Sequence, residues 1–233
     1  MRKTFFLPLF CLLPFALPAQ DARVGVGVEA SAGFSGIRFH AAADPTGLYR
    51  AVEENLAPRF ATGLNAFVRY RMGRRFSVQA GLGYWLYGYR QKRFAVNSGP
   101  PSPFYILPAV TGIESKTTFA DLAFPVDIRY QLSTGKNRCY LMAGVLPLYG
   151  MNHKQTDISY YEDGSSQANT YDDNFTRDFN LSGRFGAGLE MPMGARWRLY
   201  VQPTAAYALL NAYEPAFFSM RPYSFAVHTG VVF

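Results

Sequence analysis

The chain of 233 residues carries a formal charge of +7, with only 17% charged residues against about 25% in an average soluble domain. Hydrophobic residues make up 49% of it and aromatics 16%, yet no run after residue 20 approaches the ~18 apolar residues of a membrane-spanning helix. A helical membrane protein and an ordinary charged soluble domain are both disfavoured, and apolar content so finely divided asks for β structure.

Arg2 and Lys3 precede an apolar stretch from Phe5 to Leu17, followed by Pro18-Ala19-Gln20. A charged start, a short apolar run and a small residue describe a cleavable secretory signal over residues 1–19, although Leu17 stands where a small residue is usual. The shortness of the run, with Pro8, Pro14 and Pro18, argues against a spanning anchor. Bulky Leu9-Phe10 before Cys11 argue against a lipoprotein signal. Removing Arg2 and Lys3 leaves a charge of +5; export argues against nucleic acid as the partner of that excess. Cys139 is then the one remaining cysteine, so no internal disulfide forms. The length of residues 20–233 suits one large β domain, or at most two small ones.

Alternation with period two runs through this domain. Val24, Val26, Val28, Ala30, Ala32 and Phe34 share one face; Arg23, Gly25, Gly27, Glu29, Ser31 and Gly33 share the other. The pattern returns at Phe60 to Tyr70, Phe76 to Leu86, Ala120 to Tyr130, Phe179 to Met191, Trp197 to Tyr207 and Tyr223 to Phe233. Each is a strand with one apolar face. Cys139 to Gly150 is apolar on both parities, so its register is open. These are eight strands, each long enough for the ~9–11 residues of a tilted membrane strand.

The connections alternate strictly. Short turns fall at Met72-Gly73-Arg74, Ser133 to Asn137 and Pro192 to Ala195; long loops fall at Ile37 to Pro58, Gln91 to Ser115, Asn152 to Thr176 and Asn211 to Pro222. Short periplasmic turns and long outer loops belong to an antiparallel barrel in the outer membrane. Tyr70, Phe76, Tyr130, Tyr140, Trp197 and Phe233 cluster near the short turns, and Phe34, Tyr84, Phe119, Tyr149, Tyr207 and Tyr223 near the long loops, as two interfacial belts would. The expected fold is an all-β, eight-stranded, antiparallel, up-and-down transmembrane barrel with a side-chain-filled lumen. Phe233, with Phe225, Val227 and Val231 before it, resembles the C-terminal signal by which the barrel assembly machinery recognises its clients.

"FADLAFPVDIRYQL" and "FGAGLEMPMG…WRLYVQPTAAYALL…SFAVHTGVVF" resemble the outer-membrane β-barrel domain family that includes the PorT-like proteins. The shared features are a proline inside a strand ending in a basic-Tyr pair, here Pro125 with Arg129-Tyr130, and a Gly-rich strand running into an acidic-apolar-Pro turn, here Gly186 to Pro192. The resemblance covers most of the exported chain. It implies the fold, and a link to surface-protein secretion known for a few members. Pro125, Pro147 and Pro203 fall inside expected strands; each removes a ladder donor, so bulges or breaks are expected at all three.

If the apolar parity meets lipid, Glu29, Asn65, Arg69, Gln79, Asp121, Asp127, Arg129, Arg184, Glu190, Arg198, Gln202 and His228 point inward. Four acids and four arginines nearly cancel, which predicts an internal salt-bridge network in a lumen with room only for side chains. A narrow ion pathway is the alternative use of that column. His228 is the one lumen histidine; Ser224 shares its face but stands too far along the strand for contact, so a structural role is expected and no catalytic residue is assigned. His40 and His153 fall in loops without ligand spacing.

Asp157, Glu162, Asp163, Asp172, Asp173 and Asp178 crowd the third loop without matching a calcium-loop pattern. Tyr87, Tyr89, Phe94, Phe104, Tyr105, Tyr160, Tyr161 and Tyr171 are candidates for partner recognition or interface anchoring. "GVGVEASAG" lacks the following helix of a nucleotide site. No cofactor or metal is expected. The expected partners are the bilayer, the assembly machinery and other envelope proteins, and the expected function is a non-catalytic structural or interaction role in the envelope; an enzyme acting on lipid or acylated envelope molecules is the alternative.

Overall fold

Period-two alternation becomes ten antiparallel strands in a computed structural model that describes residues 23–41, 54–95, 110–133, 135–173, 176–194, 197–212 and 218–233. They are β1 (Val24–Ala41), β2 (Leu56–Arg71), β3 (Phe76–Ala95), β4 (Val110–Ala123), β5 (Val126–Gln131), β6 (Arg138–Tyr161), β7 (Ser166–Asp172), β8 (Phe179–Pro192), β9 (Arg198–Ala208) and β10 (Phe218–Val232). The expected signal segment lies outside the described residues.

The sheet closes on itself. β1 pairs with β2 on one side and with β10 on the other, from Gly27 opposite Val232 to Ala41 opposite Phe218. Closure pairs the first stave with the last, so among the described residues the barrel has no open seam in hydrocarbon. β4 and β5 both lie between β3 and β6, and β7 and β8 both flank the same side of β6. Ten strands therefore form the eight staves of one antiparallel barrel.

Alternation sorts the two faces. Leu64 is 69% exposed and Phe185 66%, whereas Asp127 is 0% exposed. Outward apolar side chains run along β1 from Val24 to Phe34, about 33 Å of strand; tilted by roughly 40°, that covers the ~25 Å apolar band of an outer-membrane barrel. Ring pairs mark its two ends: Trp197 with Phe233 at 4.9 Å and Phe76 with Tyr130 at 5.0 Å near the short turns, Phe34 with Phe60 at 6.2 Å near the opposite rim. Two expected belt members are elsewhere. Phe119 and Tyr140 are buried in the lumen, because they share the inward parity of Asp121 and Met142. In β6, Cys139, Leu141, Ala143 and Val145 face out while Tyr140, Met142, Leu146 and Leu148 face in, which fixes the register that pattern left open.

Glycine serves two purposes. Gly73 and Gly194 take positive φ, +152° and +146°, in the tight turns joining β2 to β3 and β8 to β9, where L side chains are strained. On the inner wall, glycine makes room for rings: a Cβ on Gly63 would lie 2.4 Å from Trp85, and one on Gly188 2.2 Å from Tyr140.

The prolines behave differently from expectation at one position. The stave breaks at Phe124-Pro125, between β4 and β5, without a change of register, since Ala123 faces Leu148 and Val126 faces Val145. Phe124 therefore stands opposite Pro147, whose carbonyl accepts its N–H at 2.9 Å. One gap absorbs two missing donors, and Pro147 needs no bulge; its ladder to β8 is continuous. At Pro203, the ladder of β9 to β8 skips from Gly186–Thr204 to Leu189–Val201 in constant register, a local break. The nearest bulge on β6 lies instead at Ala120/Asp121 opposite Asn152 and Gly150, and leaves Met151 unpaired with β4.

The expected long loops at 91–115 and 152–176 are largely strand where they are described. β8 meets β6 only up to Phe179 opposite Tyr149, but β6 continues to Tyr161, pairing with β4 on one side and β7 on the other. β3, β4, β6 and β7 thus extend the wall past the apolar band as a four-stranded sheet. Beyond the buried rings of Tyr87, Tyr89 and Phe119 both faces are wet, so period-two apolarity disappears and the sequence reads as loop. Every residue of β7 is exposed.

Candidate functional site

The inward side chains stack in three tiers. The tier nearest the short turns is built on Glu190 of β8. Arg69 of β2 ion-pairs with it and also donates Nε and Nη2 to Gln79 Oε1 at 3.1 and 2.9 Å. Arg129 of β5 lies 3.7 Å from Glu190 and Arg198 of β9 3.5 Å. The Arg129 guanidinium also lies over the rings of Tyr140 and Tyr200, 4.7 and 5.0 Å from their centroids, a favourable cation–π arrangement in a dry site.

The middle tier holds two acids. Asp127 of β5 takes a two-pronged grip from Arg184 of β8, with Nε to Oδ1 at 2.6 Å and Nη2 to Oδ2. Glu29 of β1 accepts from Tyr200 Oη and from Asn65 Nδ2 at 3.1 Å, with His228 Nδ1 at 3.5 Å. His228 stacks on Trp85, ring centroids 5.8 Å apart. Tyr140 Oη donates to Gln202 Oε1 at 2.9 Å.

The third tier, toward the long connections, is an apolar plug. Ile37, Trp85, Tyr87, Tyr89, Phe119 and Leu148 belong to one buried cluster. Its acid, Asp121, accepts from Tyr87 Oη at 2.8 Å and meets His153 Nε2 at 2.8 Å. His153 is thus a lumen residue of β6, contrary to its expected place in a loop; the bulge beside Asn152 reverses the strand's parity and turns it inward. His40 likewise falls in a strand, β1.

All nine charged or imidazole residues singled out in the sequence (Glu29, Arg69, Asp121, Asp127, Arg129, Arg184, Glu190, Arg198 and His228) lie in this column. They do not cancel pair by pair. Tyrosine, asparagine and histidine satisfy Glu29 and Asp121, while three arginines share Glu190. The aromatic plug escaped the sequence reading because its rings sit on the parity expected to be polar. The sign was there: Trp85, Tyr87 and Tyr89 occupy alternate positions.

Outside the column, the acids of the β6–β7 hairpin are held separately. Asp157 accepts from Ser115 Oγ at 2.6 Å, Gln155 Nε2 at 3.0 Å and Tyr171 Oη. Burial would raise its pKa, but these three bonds outweigh it and hold the carboxyl below the usual range. Asp163 accepts from Ser165 and is lowered by that bond. Among the described residues no three His, Cys, Asp or Glu side chains gather as a metal site would require.

Residues 18–220 match the family model described as "Outer membrane protein beta-barrel domain". The chain belongs to that family. The protein is accordingly an integral β-barrel of the outer membrane, and its outward apolar band faces lipid. No curated protein sequence matches it. Similar solved structures include a major outer membrane protein from Thermus thermophilus (10% identity, 90% of this chain and 99% of that one, TM-score 0.44). Neisserial surface protein A is another (12%, 89% and 97%, TM-score 0.41), as is the outer membrane protease OmpT from Escherichia coli (8%, 94% and 99%, TM-score 0.38).

Proposed function

We propose that the protein is a non-catalytic outer-membrane barrel that works through contacts with other envelope components. One observation carries this reading: the middle and far tiers of the lumen are closed by ion pairs and packed rings, whereas β3, β4, β6 and β7 are elaborated into an exposed sheet beyond the membrane band. Aromatic and ion-paired filling argues against conduction. Both lumen histidines are committed to acids and rings, His228 to Glu29 and Trp85, His153 to Asp121 and Phe119, which argues against a general base among them. The outer sheet offers Tyr160, Tyr161 and Tyr171 on an antiparallel framework, and the resemblance to PorT-like proteins favours surface-protein secretion as the process served.

Biogenesis fits the same reading. Phe225 and Val227 face outward on β10 and Phe233, just past its end, is exposed; we assign them, with Val231, to recognition by the barrel assembly machinery. The discriminating experiment is crosslinking in intact cells from a photoreactive residue at Tyr161 or Tyr171, with planar-bilayer recording of the purified protein. A defined envelope partner and a silent bilayer are expected. Steady single-channel currents from the unmodified protein would replace this reading with the channel.

A further inference from the structure

The tier around Glu190 carries more positive charge than it can use. Arg129 is 2% exposed, and none of its Nε, Nη1 and Nη2 atoms has a hydrogen-bond partner. Its nearest acid oxygen, on Glu190, is 3.7 Å away and is shared with Arg69. A guanidinium carries five donors, and a buried donor left unmade costs about 1–3 kcal/mol or more when charged. Neighbouring acids are not available to it: Asp127 is gripped by Arg184 and Glu29 by Tyr200 and Asn65.

Arg129 lines a small cavity of about 30 Å³ that opens on the side of the short turns. Arg69, Arg71, Arg75 and Arg138 line it too, with Glu190 as its one carboxylate. Ser77, Gln131 and Tyr140 add neutral polar groups. Five guanidinia around one carboxylate, the innermost with unmade donors, make a site for an anion with several acceptor oxygens. Planar guanidinium forks match phosphate oxygens. In an outer-membrane barrel this mouth opens to the periplasm.

We propose that the periplasmic mouth of the lumen binds a phosphate group, seated on Arg129 and closed at the rim by Arg71 and Arg138. It would supply the acceptors that Arg129 lacks and offset the surplus on Glu190. The site is separate from the outer sheet and stands whether or not that sheet binds a partner.

The test is calorimetric titration of the full barrel, in zwitterionic detergent at low ionic strength, with inorganic pyrophosphate. Saturable one-to-one binding is expected. Arg71→Gln with Arg138→Gln, at the rim and outside the buried stack, should weaken it roughly tenfold or more. Arg38→Gln, on the outer face at the far rim, should leave it unchanged. Arg129→Met should abolish binding; if that variant does not fold, the rim pair still decides. A parallel titration in nanodiscs separates the sources of the group. Pyrophosphate binding indifferent to phosphatidylglycerol assigns a soluble phosphate, and competition by that lipid assigns a headgroup. No saturable binding of either, equal binding by the rim variant, or the same heat from sodium chloride at matched ionic strength would overturn the site.

Discussion

Asp127 and Arg184 meet across a strand that stands between them. Gly144 of β6 is the register partner of both, of Asp127 in β5 and of Arg184 in β8. A Cβ at Gly144 would lie 2.3 Å from Asp127 Oδ1. The bare position on the middle stave is what lets the two-pronged ion pair close over it, with Arg184 Nε 2.6 Å from Asp127 Oδ1.

Breaking this pair on one side should therefore be much worse than removing it whole. Arg184→Met leaves an unpartnered buried carboxylate and is expected to cost about 3–5 kcal/mol, while Asp127→Leu with Arg184→Met should recover most of that loss. Gly144→Val should destabilise like the single change, by wedging the pair apart. Urea unfolding in micelles, followed by heat-modifiable gel mobility, reads all three. Equal stability of the single and double variants would show that the carboxylate finds another partner.

The outward face should penalise charge according to depth. Val227 lies mid-way along the apolar run of β10, and Val24 lies at its short-turn end on β1. Val227→Arg is expected to cost about 2–4 kcal/mol in a bilayer, and Val24→Arg about 0–1. Reversible unfolding from vesicles measures both. Similar penalties at the two positions would mean that the apolar band is misplaced along the staves.

The same contrast explains how much was legible in the sequence. Val24, Leu64, Phe185 and Val227 announce the barrel, because lipid on one side and protein on the other enforce period two along every stave. That selection ends where water wets both faces, so residues 154–161 of β6 and all of β7 read as loop. Inside, charge was legible and its distribution was not. Arg69, Arg129 and Arg198 converge on Glu190 through staggered registers among β2, β5, β8 and β9, and one residue of slip on any of them would dissolve the cluster. His153 was hidden by a bulge that no local pattern marks. Phe119 and Tyr140 were misplaced because an aromatic near a strand end fits an interfacial belt and a lumen plug equally well until its parity is fixed.

The plug makes its own prediction. Phe119 is buried among Tyr87, Tyr89 and His153, with centroid separations of 5.0, 6.1 and 5.2 Å. Phe119→Ala should cost about 3–5 kcal/mol through lost contacts and a residual void. Its partner effect is on His153, which loses its edge-on ring contact while keeping Asp121, so the imidazole should gain rotational freedom visible in side-chain relaxation by NMR. A rigid His153 in Phe119→Ala would mean that Asp121 alone positions it.

Acid should loosen the outer sheet before the barrel. Asp157 lies on the part of β6 beyond the membrane band and ties β4 to β7 through Ser115 and Tyr171. Those bonds, with Gln155, hold its folded pKa below the ordinary value against the opposing effect of burial. A depressed carboxyl contributes stability that is fully present above the unfolded value near 3.9 and is lost as pH falls through the folded one. Protection of the hairpin amides of Thr156, Ile158 and Thr170, corrected for intrinsic exchange, should therefore be constant from about pH 7 to 5 and decline below about pH 4, while the β1–β10 seam keeps its protection. Asp157→Asn should lower hairpin protection at neutral pH and flatten the decline. An unchanged decline in Asp157→Asn would show that Asp157 is not the group whose protonation loosens the sheet.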